Sequence, residues 1–159
     1  MIVIRCETGD DVVVSGDTLV GATLSGLNLH RALLDGQVLR GADLSDTELR
    51  SAWLEGAIFE RANLSRASLA ACEASRASFA GATLIDTMMR SGNFAGANFS
   101  GANLRGAKME RASLEGAIFN GANLQCQGLE VAGLTGAMAD SMTIWPEGFD
   151  PAKYGVITA

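Results

Sequence analysis

The side chains that could perform chemistry are few and stand far apart. The sequence holds one histidine, His30, and three cysteines, Cys6, Cys72 and Cys126, without a CxxC pair. Nucleophilic and metal-dependent catalysis need such groups at characteristic spacings, and none of those spacings occurs. We therefore expect a protein that is not an enzyme and that binds no metal and no cofactor. His30 is predicted to lie on the surface. Cys72 falls at a position predicted to face inward, where a free cysteine serves as a small hydrophobic residue.

A second set of polar residues recurs at multiples of twenty residues. Each of them directly precedes a leucine: Asp43, Asn63, Asn103 and Asn123. This column admits two interpretations, a polar ladder that binds a ligand or a series of local hydrogen bonds at turns. Asn and Asp side chains commonly bond to the backbone two residues further on. The second interpretation is therefore favoured.

The elements that position these residues follow from a repeat of five. In the segment FSGANLRGAKMERASLEGAIFNGANL, Phe99 to Leu124, every fifth residue is Phe, Leu or Met. These bulky residues, here called centres, run from Leu19 to Leu134 with one lapse at Ala74, and most follow an alanine by two places. Five residues rotate an α-helix by more than a third of a turn beyond one full turn. A straight strand would send successive centres to opposite faces. Each unit is therefore predicted to form one short side of a coil.

Four such sides close a coil of twenty residues, so residues twenty apart should stack. Residues twenty apart are indeed of similar type and size: one column of centres is all leucine and another is nearly all phenylalanine. The alanines leave room for them, and glycines such as Gly36 and Gly56 are predicted to take positive φ at the corners. Near the two ends, Gln37 and Gln127 fall at small inward positions. The predicted core includes Leu24, Leu44, Phe59, Leu64, Phe79, Leu84, Phe99, Leu104, Phe119 and Leu124.

Units such as GANFSGANLRGAKM and RASLEGAIFNGANL resemble the A(D/N)LXX units of the pentapeptide repeat family. The resemblance covers about residues 17 to 141. It implies an all-β protein, a right-handed quadrilateral β-helix, here of about six coils with terminal caps. The tail TIWPEGFDPAKYGV resembles a segment that follows the repeats in many bacterial members. Most members of the family have no assigned function.

Both ends depart from the repeat. Residues 1–18 are predicted to be an N-terminal cap or a degenerate first coil, residues 19–138 the β-helix, and residues 139–159 a C-terminal cap. In the last segment, Trp145, Phe149 and Tyr154 are expected to fold over the final coil. We see no signal peptide and no apolar run of the ~18 residues that a membrane helix needs. The odd, scattered cysteines favour a reduced cytoplasmic setting.

The charge pattern bears on possible partners. The net charge is −6, and residues 1–60 and 112–159 are acidic, whereas residues 61–111 carry seven bases and three acids. The family resemblance suggests one activity, in which an acidic rod imitates DNA and modulates DNA gyrase or another type II topoisomerase. The central arginines would interrupt such an anionic face. They also fall on several columns, so direct binding of nucleic acid is not expected.

An apolar patch gives the leading hypothesis. Leu33, Val38, Trp53 and Ile58 are all predicted to face outward on two adjacent sides, near the N-terminal end. Exposed tryptophan among aliphatic residues is typical of protein-binding surfaces. The alternative is that these side chains lie beneath the N-terminal cap. We therefore predict a rigid protein-interaction or scaffold module, with a homodimer as one option and DNA mimicry as the alternative function.

Overall fold

The computed structural model describes residues 1–159, and in its repeat section each coil of the chain pairs with the next. The Leu24 N–H donates to the Asp43 carbonyl at 2.7 Å, and the Asp43 N–H donates to the Ala22 carbonyl at 2.9 Å. Parallel bridges of this kind join outward residues twenty apart on all four sides, beginning with Thr23–Asp43, Asn28–Glu48, Leu33–Trp53 and Val38–Ile58. The predicted coil of four five-residue sides is therefore confirmed.

From Leu19 to Phe119, each side ends in a turn in which the residue two places after the centre has positive φ. Gly36 and Gly56 have φ of 66° and 63° at this position, as predicted. The turn is closed by a bond such as that from the Ala42 N–H to the Leu39 carbonyl, 3.1 Å. Ten residues other than glycine adopt the same left-handed conformation, with φ from 53° to 60°: Arg31, Asp46, Ser51, Arg61, Arg66, Ala71, Arg76, Asp86, Ser91 and Arg111.

The core is a set of stacked columns along the axis of the coil. All ten side chains predicted to lie there have 0% relative exposure. Phe59, Phe79, Phe99 and Phe119 stack in that order, with successive ring centroids 5.1, 5.0 and 5.4 Å apart. Burial of one such ring stabilises a protein by about 1.5–3 kcal/mol. The alanines beside the centres are buried too, so the interior is closed by side chains.

Phe94 accounts for the lapse in the pattern at Ala74. Its ring reaches toward the phenylalanine column, with centroids 6.0 Å from Phe79 and 5.9 Å from Phe99. It also lies against Gly92, where an added Cβ would be 2.5 Å from Phe94 Cε2. Ala74 and Gly92 therefore make room for one large ring between them.

The first eighteen residues contain a β-hairpin. Strands β1 (Ile2–Ile4) and β2 (Val12–Val14) pair antiparallel, with Val3 opposite Val13. Ile4 and Val14 are buried, whereas Val3 and Val13 are exposed. Arg5, directly after β1, approaches the first coil, where the Leu33 N–H donates to its carbonyl at 2.8 Å. The hairpin thus meets one side of the coil through backbone pairing.

The repeat shifts register near its C-terminal end. Both glutamines predicted at small inward positions are exposed, Gln37 as well as Gln127. Gln127 is exposed rather than inward, and it pairs with Lys108, nineteen residues away. Cys126 packs against the core in its place. The cause is a 3₁₀ helix, Leu129–Val131, preceded by Gly128 with φ 85°. The corner before Gln127 is one residue shorter than the others, and the corner with the 3₁₀ helix is one residue longer. The pairing of Ser113 with Gly133 therefore has the spacing of twenty again.

The last segment continues to pair with the coil. Strand β3 (Met138–Ala139) runs parallel to β4 (Ile157–Thr158), so the predicted boundary between residues 138 and 139 falls inside a strand. A second 3₁₀ helix, Pro151–Tyr154, precedes β4 and begins with a hydrogen bond from the Ala152 N–H to the Asp150 side chain. No helix here has the length and apolar character needed to cross a membrane.

Aromatic side chains of this last segment extend the phenylalanine column. Trp145 meets Phe119 edge-on, with ring centroids 6.5 Å apart. Phe149 stacks on Trp145 at 5.4 Å, and Tyr154 stacks on Phe149 at 4.9 Å. The stack of rings therefore runs from the centre of the coil to its C-terminal end.

Candidate protein interface

The four residues of the predicted apolar patch lie on two adjacent sides of the coil. Leu33 and Trp53 are successive rungs of one side, and Val38 and Ile58 are successive rungs of the next. Leu33, Val38 and Trp53 have 45%, 37% and 38% exposure, and Ile58 is half-buried. The corner between the two pairs contains Gly36 and Gly56, where an added Cβ would meet nothing within 4 Å. The structure thus places the four side chains around a bare corner.

The N-terminal segment borders this patch without covering it. Glu7 lies beside Arg31, with 2.6 Å between Arg31 Nη2 and Glu7 Oε2. Hydrogen bonds from Arg31 and then from the Trp53 side chain lower the pKa of Glu7. The Trp53 ring itself stays partly open to solvent, with 38% exposure.

A shallow apolar groove continues from the patch toward the N-terminal end. Its walls are the edge of the hairpin and the first coil, formed by Ile2, Val3, Ile4, Arg5, Leu19, Leu33, Leu34 and Gln37. Leu33 belongs to both the groove and the patch. The sequence pattern gave a partial signal for the hairpin's share of this surface, because Val3 and Val13 fall out of phase with the inward Ile4 and Val14.

The groups capable of chemistry are held in unreactive settings. Burial and the nearby charge of Glu73 raise the pKa of the Cys72 thiol. Burial, with the charge of Glu130, raises the pKa of Cys126 to about 12. Since the thiolate is the nucleophilic form, both cysteines are kept in the unreactive form near neutral pH. His30 lies in an open depression with Asn28, Glu48 and Arg50.

The column of Asp and Asn residues performs local bonding. Each side-chain oxygen accepts a hydrogen bond from the backbone N–H two residues later, at 3.0–3.2 Å, for Asp43, Asn63, Asn103 and Asn123. The interpretation as turn-stabilising residues is confirmed. Each of these side chains uses one oxygen atom to stabilise the turn that follows it. This local role accounts for the residue types and their spacing without a ligand.

Acidic and basic residues pair between neighbouring coils. Asp46 and Arg66 are linked by two bonds of 2.8 Å, and Arg90 pairs with Glu110 at 2.9 Å. Hydrogen bonding within these pairs lowers the pKa of Asp46 and of Glu110. Arg76 likewise bonds to Glu55. Three of the seven central bases are thus joined to carboxylates on the surface.

Two protein-family models match most of the repeat section of the chain. One, described as a pentapeptide repeat region, matches residues 42–119, and another, pentapeptide repeats (8 copies), matches residues 19–56. The chain belongs to the pentapeptide repeat family. A comparison with curated protein sequences finds no match.

Solved structures of other pentapeptide repeat proteins share the fold. HetL, involved in heterocyst differentiation regulation in the cyanobacterium Nostoc sp. strain PCC 7120, is 27% identical with a TM-score of 0.65, over 86% of this chain and 66% of HetL. Rfr23 from the cyanobacterium Cyanothece 51142 is 26% identical with a TM-score of 0.55, over 79% of this chain and 89% of Rfr23. This chain therefore matches slightly less than two thirds of HetL.

A third structure extends the likeness to another named protein. QnrB1, a plasmid-mediated fluoroquinolone resistance protein, is 21% identical in a trypsin-treated variant, with a TM-score of 0.51 over 86% of this chain and 91% of QnrB1. At that identity the likeness concerns the fold alone. Pentapeptide repeat proteins form right-handed β-helices, and the parallel pairing at intervals of twenty in this chain agrees with that fold.

Proposed function

We propose that this pentapeptide repeat protein is a non-enzymatic interaction module that offers one rigid part of its surface to a protein partner. The observation that supports this most is the exposed Trp53 ring beside Leu33, Val38 and Ile58. Tryptophan is enriched among the few interface residues that dominate binding energy. Contiguous apolar surface on a small protein is a common mark of an interaction site.

Rigidity of the surrounding coil strengthens this proposal. The Trp53 N–H donates to the Ala32 carbonyl and the Trp53 carbonyl accepts from the Leu34 N–H, both at 2.8 Å. The backbone at the patch is therefore fixed before any partner arrives. Ordering loops and side chains on binding costs about 0.5–1.5 kcal/mol for each flexible side chain, so a preformed surface avoids much of that cost.

Finer features of the architecture belong to the same proposal. We infer about six coils, with residues 1–18 and 139–159 acting as caps that limit pairing of the coil edges with other chains. Backbone pairing of Arg5 with Leu33, and of Ile157 with Ala137, supports a capping role at each end. Three free cysteines suit a reducing cytoplasm. The regulatory role stated for HetL is of a kind that binding would serve.

The alternative, a DNA-mimicking modulator of gyrase, has weaker support. Such a protein needs an anionic face that continues across most coils. Here a corner column alternates in sign through Asp46, Arg66 and Asp86, and the charge of Asp86 acts on Arg66 together with that of Asp46. Arg76 and Arg90 also neutralise carboxylates on neighbouring coils. The interaction module remains the function that the surface supports best.

A quantitative capture experiment tests the proposal. Immobilised protein, its Trp53→Glu variant and a Ser113→Glu variant would be compared for the proteins they retain from a cell extract. Ser113 lies on the same side of the coil, three coils away, so Ser113→Glu is the matched control. We expect at least one protein to be retained by the parent and by Ser113→Glu, and retained about tenfold less by Trp53→Glu. Equal retention by all three would contradict an interface at Trp53.

A further inference from the structure

One complete side of the coil carries no charge along its outward column. This phenylalanine side, named for the rings behind it, is joined by successive parallel bridges through Val38, Ile58, Ser78, Asn98, Ile118 and Met138. Val38 and Met138 are the most open of the six, with 37% and 42% exposure, and the others are half-buried. Ile157 of β4 extends the column by one further rung. The Trp53 patch touches only its first two rungs.

Glycines occupy most of the corner positions at the two edges of the phenylalanine side. One corner is lined by Gly36, Gly56, Gly96, Gly116 and Gly136, and the other by Gly41, Gly81, Gly101 and Gly121. Two arginines interrupt these glycine corners, and their side chains run along the corner. Arg76 Cγ would be 3.5 Å from a Cβ at Gly96, and Arg61 Cγ would be 3.5 Å from a Cβ at Gly81. Exposed charged side chains, among them Arg40, Glu55 and Glu115, stand directly before these corner glycines.

From Val38 to Met138, leaving Ile157 outside, the six rungs have the same order of apolar and polar residues in both directions. Two aliphatic residues, Val38 and Ile58, are followed by the polar Ser78 and Asn98 and then by the apolar Ile118 and Met138. A two-fold axis between the middle rungs would place Val38 opposite Met138 and Ile58 opposite Ile118. Ser78 would face Asn98. A surface that matches its own inverted copy is what a symmetric dimer interface requires.

We propose that the phenylalanine side binds a second copy of this chain, face to face and antiparallel. The same symmetry brings Arg40, beside the first rung, opposite Asp140, beside the last. These are opposite charges, and Arg40 is also bonded to Glu60 of its own chain. On the other flank Glu55 would face Glu115. Glu55 is already bonded to Arg76, so this like-charged contact is offset.

The size of the surface sets the expected strength. At ~4.8 Å between strands, the six rungs span about 24 Å, and three residues across give about 10 Å. This footprint is well below the ~800 Å² per partner of a standard stable interface. The dimer is therefore weak, and it forms at high protein concentration. This dimer face shares Val38 and Ile58 with the Trp53 patch, whereas Leu33 and Trp53 lie on the neighbouring side.

Sedimentation equilibrium of the full chain, from about 10 µM to about 1 mM, tests the dimer. We expect a concentration-dependent rise in mass that Ile118→Lys or Met138→Lys weakens at least about tenfold, because two lysines would meet apolar residues of the other copy. Ser113→Lys, on the neighbouring side, should dimerise like the parent. A monomer at every concentration overturns the proposal, as does a dimer that neither lysine on the phenylalanine side weakens.

Cross-linking by oxidation tests the antiparallel register. In the proposed dimer, Val38 of one copy meets Met138 of the other, so the double variant Val38→Cys with Met138→Cys should form disulfide-linked dimers. Neither single variant should do so, because equivalent positions lie about 24 Å apart. The parent controls for its native cysteines. Dimers from Val38→Cys alone would overturn the antiparallel arrangement. Loss of partner capture by Trp53→Glu, with this dimer intact, would separate the two interfaces.

Discussion

At the scale of single residues, the interior tolerates no extra atom at Gly92. An added methyl group would lie 2.5 Å from Phe94 Cε2 and 3.2 Å from the Leu69 carbonyl oxygen. We expect Gly92→Ala to lower the free energy of unfolding by about 1–3 kcal/mol, measured by urea denaturation. Combining it with Phe94→Leu, which shortens the opposing side chain, should cost less than the two single losses added together. Full additivity would show that Phe94 is not the clashing group.

At a corner position, a substitution is expected to stabilise the protein. Ala71 has φ of 53°, a conformation that costs a residue with a Cβ about 1–2 kcal/mol. Glycine removes that cost but adds about 0.4–1 kcal/mol of unfolded-chain entropy. Ala71→Gly should therefore raise the free energy of unfolding by about 0.5–1 kcal/mol, read from the shift of the urea midpoint. Ala80→Gly, outside the positive-φ position, should be destabilising, and a gain of similar size there would point to a general effect of glycine.

At the scale of the element, the stacked columns account for most of the core. Phe79 contacts Phe59 and Phe99 above and below at about 5 Å and meets Phe94 from the side. Phe79→Ala should cost about 3–5 kcal/mol of unfolding free energy in calorimetry or urea titration. Asn103→Ala, which removes only the acceptor for the Arg105 N–H, should cost about 0.5–1.5 kcal/mol. A loss below about 1 kcal/mol for Phe79→Ala would contradict the stacked-core account.

The sequence predicts these columns well because side-chain volume must repeat wherever coils stack. Residues of similar size recur at intervals of twenty in the sequence, so the core residues and the glycines at the corners can be predicted from it. The register shift at Gln127 does not follow, because Leu129 and Leu134 keep the spacing of five across it and remain buried. One corner is shorter by one residue and the next, which contains the 3₁₀ helix, is longer by one, so the spacing of the leucines does not change. Thr47 and Thr87 were also unpredicted, and their hydroxyls reach carbonyls of the preceding coil.

At the scale of the whole molecule, the two ends depend on contacts that no repeat encodes. Arg5 meets Leu33 through backbone atoms, and Glu7 bonds Arg31 from a segment outside the pattern, so neither contact follows from periodicity. The position of the apolar patch was predictable, because outward phase is set by the repeat. Its partial exposure depends on where the hairpin turns, which the sequence left open. The antiparallel symmetry of the phenylalanine side likewise emerges only when all rungs are placed in order.

The distribution of charge over the whole rod yields the last prediction. A DNA mimic should inhibit gyrase or protect it from a fluoroquinolone, whereas here ion pairs such as Arg66–Asp46 and Arg90–Glu110 break the anionic surface between coils. We expect a gyrase supercoiling assay, with and without drug, to show no inhibition and no protection when the protein is titrated to about micromolar concentration. QnrB1, a plasmid-mediated fluoroquinolone resistance protein, would be titrated alongside for comparison. Inhibition or protection by this chain would favour DNA mimicry. Replacing Arg66 and Arg90 by acidic residues would then remove the partners of Asp46 and Glu110, and a stronger effect on gyrase would show that these carboxylates take part in it.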